Sequence, residues 1–155
     1  MKRLTCVLIL LGLAAVTTSP LIAGSDERSV TAAGKGLFGA GAQLGAVALQ
    51  GIEIGTGVFI EADGSASGTF HAVLRGSLLG LPRAITVEGN VSEGSIGADG
   101  RATFSGTAAL NLGDGSLPLP GVAFRVTAGA DGVVLSIDST TLPAAALTAG
   151  AVTIE

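Results

Sequence analysis

From Lys35 onward apolar and polar residues alternate at a period of two, and no stretch keeps a helical spacing for more than two turns. Successive side chains of an extended chain point to opposite faces, so this pattern calls for strands with one buried face. The chain reads as a β protein. Its punctuation recurs: Ala-Asp-Gly stands at 62–64, 98–100 and 130–132, and a Leu-Pro pair follows each copy at 81–82, 119–120 and 142–143. Asp-Gly favours tight hairpins because both residues tolerate positive φ. Three turn-strand-loop-strand units are expected over 62–97, 98–129 and 130–155. A less regular stretch of about 35–61 precedes them and adds one or two strands, for a total of seven or eight.

Sorted by parity, the strands give one apolar face with Ile52, Ile54, Val58, Ile60, Phe70, Ala72, Leu74, Ile85, Val87, Val91, Phe104, Leu110, Phe124, Val126, Leu135 and Ile137. Glu53, Glu61, His71, Arg75, Glu88, Asn90, Arg101, Arg125 and Asp138 fall on the other face. An antiparallel up-and-down barrel buries such a face and removes sheet edges, and a β-sandwich is the alternative. A small outer-membrane barrel has the same alternation. It needs aromatic girdles, however, and this chain has 5 Phe and neither Trp nor Tyr.

The N-terminus carries Lys2-Arg3, an apolar run from Leu4 to Val16 and a small-residue stretch ending Leu21-Ile22-Ala23-Gly24. This succession reads as a cleavable signal peptide over 1–24, with 25–34 expected to be a flexible mature N-terminus and 35–155 a single β domain. The apolar run is too short for a membrane anchor, so no stable span is expected after processing. A secreted or periplasmic location follows. Cys6, the only cysteine, and Met1, the only methionine, would leave with the signal, and with them any disulfide or thiolate site.

Without Lys2 and Arg3, 6 bases face 12 acids. The bases are scattered as Arg28, Lys35, Arg75, Arg83, Arg101 and Arg125, which gives no footprint for a phosphate backbone and argues against nucleic acid as a partner. His71, the single imidazole, lies among Ser65, Ser67 and Thr69. A nucleophile-base pair would need one of these hydroxyls and an acid brought close, but a solvated histidine on the polar face accounts for the pattern better. Asp63, Asp99, Asp131 and Asp114 read as turn residues rather than calcium ligands, since each loop holds only one. Glu53, Glu61, Glu88 and Glu93 read as solvated charges rather than a hydrolytic carboxylate pair. Asn90-Val91-Ser92 matches a glycosylation sequon. No catalytic residue, metal site or cofactor is assigned.

In such a meander the Asp-Gly turns gather at one end of the sheet and the Leu-Pro loops at the other. Leu78, Leu79, Leu81, Pro82, Leu117, Leu119, Pro120, Leu142 and Pro143 are the candidate contact residues, because surface loops normally favour polar residues. Alternatively Leu78 to Leu81 and Leu117 to Leu119 fold inward and plug the end, or lie under the N-terminal segment around Leu37 and Phe38. Around Gly64 to Phe70, Val87 to Val91 and Asp99 to Gly106 the chain resembles small exported bacterial β-domains of uncharacterised function, and it is distantly similar to eight-stranded barrels of the lipocalin or allene-oxide-cyclase kind. The second resemblance implies an interior that encloses an apolar ligand. The expected function is a non-catalytic extracytoplasmic module that binds a protein or a small apolar ligand. A barrel enzyme that shapes an apolar substrate is the alternative.

Overall fold

The computed structural model describes residues 27–155; the expected signal peptide lies outside them. Ten strands form, with no helix among the described residues. They are β1 (Arg28–Phe38), β2 (Gln43–Leu44), β3 (Val47–Ile60), β4 (Ser65–Leu78), β5 (Leu81–Ile96), β6 (Ala102–Asn111), β7 (Leu119–Gly129), β8 (Gly132–Ile137), β9 (Thr140–Thr141) and β10 (Ala145–Ile154). The count exceeds the expected seven or eight because β2 and β9 are two-residue strands beside β3 and β8. All belong to one antiparallel sheet, in which β3 to β8 follow one another as neighbours.

The stretch 25–34, expected to be flexible, enters the sheet at Arg28. β1 pairs with β10 on one side and β3 on the other, and Val30 and Ala32 are buried between them. Through these pairings the sheet returns on itself as a ring. The ring is strongly staggered. Cross-strand partners lead from Ala102 through Ala128, Val133 and Ala145 to Phe38, and from neighbouring Leu37 through Gly51 and Arg75 to Ala84, beside the loop after β6.

The Ala-Asp-Gly turns join β3 to β4, β5 to β6 and β7 to β8, all at one end. Positive φ falls on the glycines alone, at 87° for Gly64, 75° for Gly100 and 143° for Gly132. Each aspartate contributes instead through its side chain or position. In the first two turns the glycine N–H donates to the residue three back, Glu61 or Gly97, and Asp63 and Asp99 accept the N–H two residues on. These are type I turns followed by a left-handed glycine, a three-residue hairpin rather than the two-residue kind.

The inward face packs as parity expects. Among the described residues twenty-six hydrophobic side chains are buried, and none of the buried residues is polar or charged. Phe70 stacks on Phe124 with centroids 5.3 Å apart and meets Phe104 edge-on at 6.0 Å. Each of these rings lies across the sheet from an inward glycine: Phe70 from Gly89, Phe104 from Gly94, Phe124 from Gly106. Three bulky rings share one layer because the positions opposite them carry no side chain.

Candidate functional site

At the end away from the Asp-Gly turns, β4 and β5 are joined by Leu79-Gly80 between the paired Leu78 and Leu81. Leu79 has φ 52° and Gly80 φ 79°, the two left-handed residues of a type I′ hairpin. Such a turn ordinarily takes Asn-Gly or Asp-Gly. Here leucine holds the strained position with its side chain 95% exposed.

Two of the Leu-Pro pairs are entrances to strands rather than the expected loops, Leu81-Pro82 opening β5 and Leu119-Pro120 opening β7, while Leu142-Pro143 lies in the loop before β10. Proline suits a strand's first residues, where its missing N–H removes little from the ladder. Leu117 is 87% exposed, Leu81 66% and Leu119 49%; Pro82, Pro120 and Pro143 are also exposed, and Leu78 is half-buried. Leu142 departs from the expectation. Its N–H donates to Leu135 O, and this tie to β8 turns the side chain inward, where it is 1% exposed. Leu142 thus belongs to the core, whereas Leu79, Leu81, Leu117 and Leu119, the residues that could have plugged the end, remain exposed. Leu37, not among the candidates, is 58% exposed at the same end of β1.

Beside these leucines a cavity of about 410 Å³ opens into the mouth of the ring. Leu44, Val47, Leu78, Ile85, Leu110 and Leu112 give it an apolar wall, and Arg83 and Asp114 stand at it as charged groups. Ile85 and Leu110 belong to the inward face, so the cavity floor is the top of the core. Arg83 Nη1 donates to Gly113 O at 2.7 Å, and Asn111 Oδ1 accepts from Gly113 N at 2.9 Å. Asp114 Oδ1 accepts from Ser116 N at 2.9 Å. The Ser116 hydroxyl and N–H hold the Asp114 carboxyl below the usual aspartate range, with the Arg83 charge adding to them. These bonds fix the loop that presents Leu117.

The remaining candidates are dispersed. His71 Nε2 stands 3.9 Å from Glu88 Oε1 on the outer face, and both side chains are more than half exposed. Glu53 accepts from Arg75 Nε at 3.0 Å and lies 3.2 Å from Lys35 Nζ, and these two cations hold its carboxyl below the usual range. Arg101 lies between two turn aspartates, bonded to Asp131 and 3.9 Å from Asp99. Asp63 is instead engaged by the Ser65 hydroxyl and N–H, which lower its pKa. Among the described residues no three His, Cys, Asp or Glu side chains gather as a metal would require. Asn90 is exposed on β5. A polar groove of about 530 Å³, lined by Asp63, Ser92, Glu93, Ser105 and Arg125, was not legible in the sequence, because register alone brings those strands together.

The apolar mouth is therefore the place where the described residues depart most from an ordinary solvated surface. Comparison with family models, with curated proteins and with solved structures finds no match for this chain.

Proposed function

We propose that this chain is a non-catalytic, extracytoplasmic binding module, an up-and-down β-barrel that receives a small apolar ligand at its leucine-rich mouth. The observation that carries this reading is the conjunction there of exposed Leu79, Leu81, Leu117 and Leu119 with an apolar cavity of about 410 Å³. That volume falls within the usual range for small-molecule sites, roughly 300–1,000 Å³. A core without buried polar side chains among the described residues supports binding over catalysis, since a barrel enzyme would aim polar groups at a substrate inside. The inward apolar face, and Lys35, Glu53, His71, Arg75, Glu88 and Arg125 outside, support a barrel surrounded by water rather than lipid.

Titration of the mature protein with anilinonaphthalene sulfonate tests the site. Enhanced fluorescence is expected, and Leu112→Asp should weaken it at least about tenfold by placing a charge in the apolar wall, while Glu88→Gln leaves it unchanged. Equal binding by the wild type and Leu112→Asp would refute the assignment. Export is tested separately by intact mass, for which loss of residues 1 to about 24 is expected.

A further inference from the structure

We propose that the leucine end docks on the surface of a zwitterionic lipid bilayer, with Leu79 and Leu117 entering its acyl layer. This deepens the binding-module reading and rests on the leucine end being the working surface. Three observations favour a lipid over a protein partner.

The two most exposed leucines, at 95% and 87%, sit on separate turns, Leu79 on the β4–β5 hairpin and Leu117 in the β6–β7 loop. Isolated protrusions require matching pits in a rigid partner, whereas a fluid acyl layer closes around each one. Leu79 also occupies a left-handed turn position where asparagine would relieve strain and be solvated, so the leucine costs the isolated protein stability and solubility together.

Charge is sorted along the same axis. Glu61, Asp63, Glu93, Asp99, Asp131 and Glu155 lie toward the Asp-Gly end, remote from the leucines, and outnumber Arg28, Arg101 and Arg125 there. Toward the leucine end Arg83 is matched by Asp114, and Glu53 lies between Lys35 and Arg75, which leaves a single unmatched positive charge. The docking end is thus close to neutral and has no polybasic cluster, which fits a headgroup layer without net charge better than an anionic one. Docking in this orientation keeps the acidic end in water and turns the apolar cavity toward the acyl chains.

The experiment is flotation of the mature protein with phosphatidylcholine vesicles, alongside anilinonaphthalene sulfonate binding without vesicles. The wild type is expected to float, with little change between low and high salt because the interaction is apolar. Leu79→Ser with Leu117→Ser should weaken partitioning about tenfold per leucine, at an unchanged melting temperature since both side chains are exposed. Failure of the wild type to float, or equal flotation of the double variant, overturns the proposal, as does binding that salt abolishes. If the wild type binds the soluble dye but no vesicles, docking fails while the apolar-ligand reading stands. If it floats through its leucines but takes up no dye, docking stands and the ligand reading fails. Self-association removed by the double variant, without flotation, would assign the leucines to a second copy and overturn the lipid proposal.

Discussion

Residues in left-handed backbone mark where this chain is locally most constrained. At Gly100, φ 75°, a side chain meets no neighbouring atom, so any penalty there is conformational. Gly100→Val should lower stability by about 1 kcal/mol or more, read from the midpoint of equilibrium unfolding. Leu79 presents the reverse case: Leu79→Asn should raise stability by roughly 0.5–1 kcal/mol in the same measurement, because asparagine tolerates the left-handed region. The carboxylates give a pH dependence with a definite sign. Glu53, Asp63 and Asp114 are all held below their ordinary values, by Arg75 and Lys35, by Ser65 and by Ser116 respectively. A depressed folded pKa contributes stability above the unfolded value and loses it as pH falls through the folded one. The melting temperature should therefore decline once pH drops below the ordinary 4.5 of glutamate and 3.8 of aspartate, and only modestly, because Asp63 and Asp114 are exposed and Glu53 is only half-buried. A melting temperature that rises over that interval would contradict the assigned hydrogen bonds.

At the scale of strands, alternation dictates which residues face inward but not which ones meet. The pairing of Phe70, Phe104 and Phe124 with Gly89, Gly94 and Gly106 illustrates this. A Cβ at Gly89 would lie 2.5 Å from Phe124 Cε1, so its missing side chain is the space the ring occupies. Gly89→Ala should destabilise by about 1–3 kcal/mol. Adding Phe124→Leu should recover part of that loss, a coupling readable from a double-mutant cycle. Additive losses would mean that the ring and the glycine do not share this space. Gly106 serves the backbone as well, since a Cβ there would press on Asn90 O. The three Ala-Asp-Gly signals mark turns at a common end, but positive φ falls on the glycine alone in each, and in the first two the aspartate side chain accepts a local N–H instead.

Across the whole molecule the two ends differ in kind. One gathers turn aspartates, two of them held by Arg101, and the other carries leucines around an apolar mouth. Leucines of the second end are not equivalent, and unfolding measurements should separate them. Leu142→Ala should cost about 2–5 kcal/mol by opening a cavity in the core, whereas Leu79→Ser with Leu119→Ser should stay within about 1 kcal/mol. Comparable losses in both variants would show that the exposed leucines also belong to the core.

The period-two pattern by itself determined the class of fold, the inward and outward faces and the end at which each turn lies, because all three depend on neighbours in the chain. It also drew attention to the Leu-Pro residues, whose apolar character is unusual for surface positions. Tertiary structure decided what local pattern does not encode. Arg28 to Gly34 became strand because β3 and β10 flank them, and Leu142 turned inward because its backbone bonds to Leu135. The cavity at the mouth drew Leu44 and Val47, Ile85, and Leu110 and Leu112 from three separate parts of the chain. Burial and convergence of that kind depend on strand register and ring closure, which are set by contacts between residues far apart in sequence.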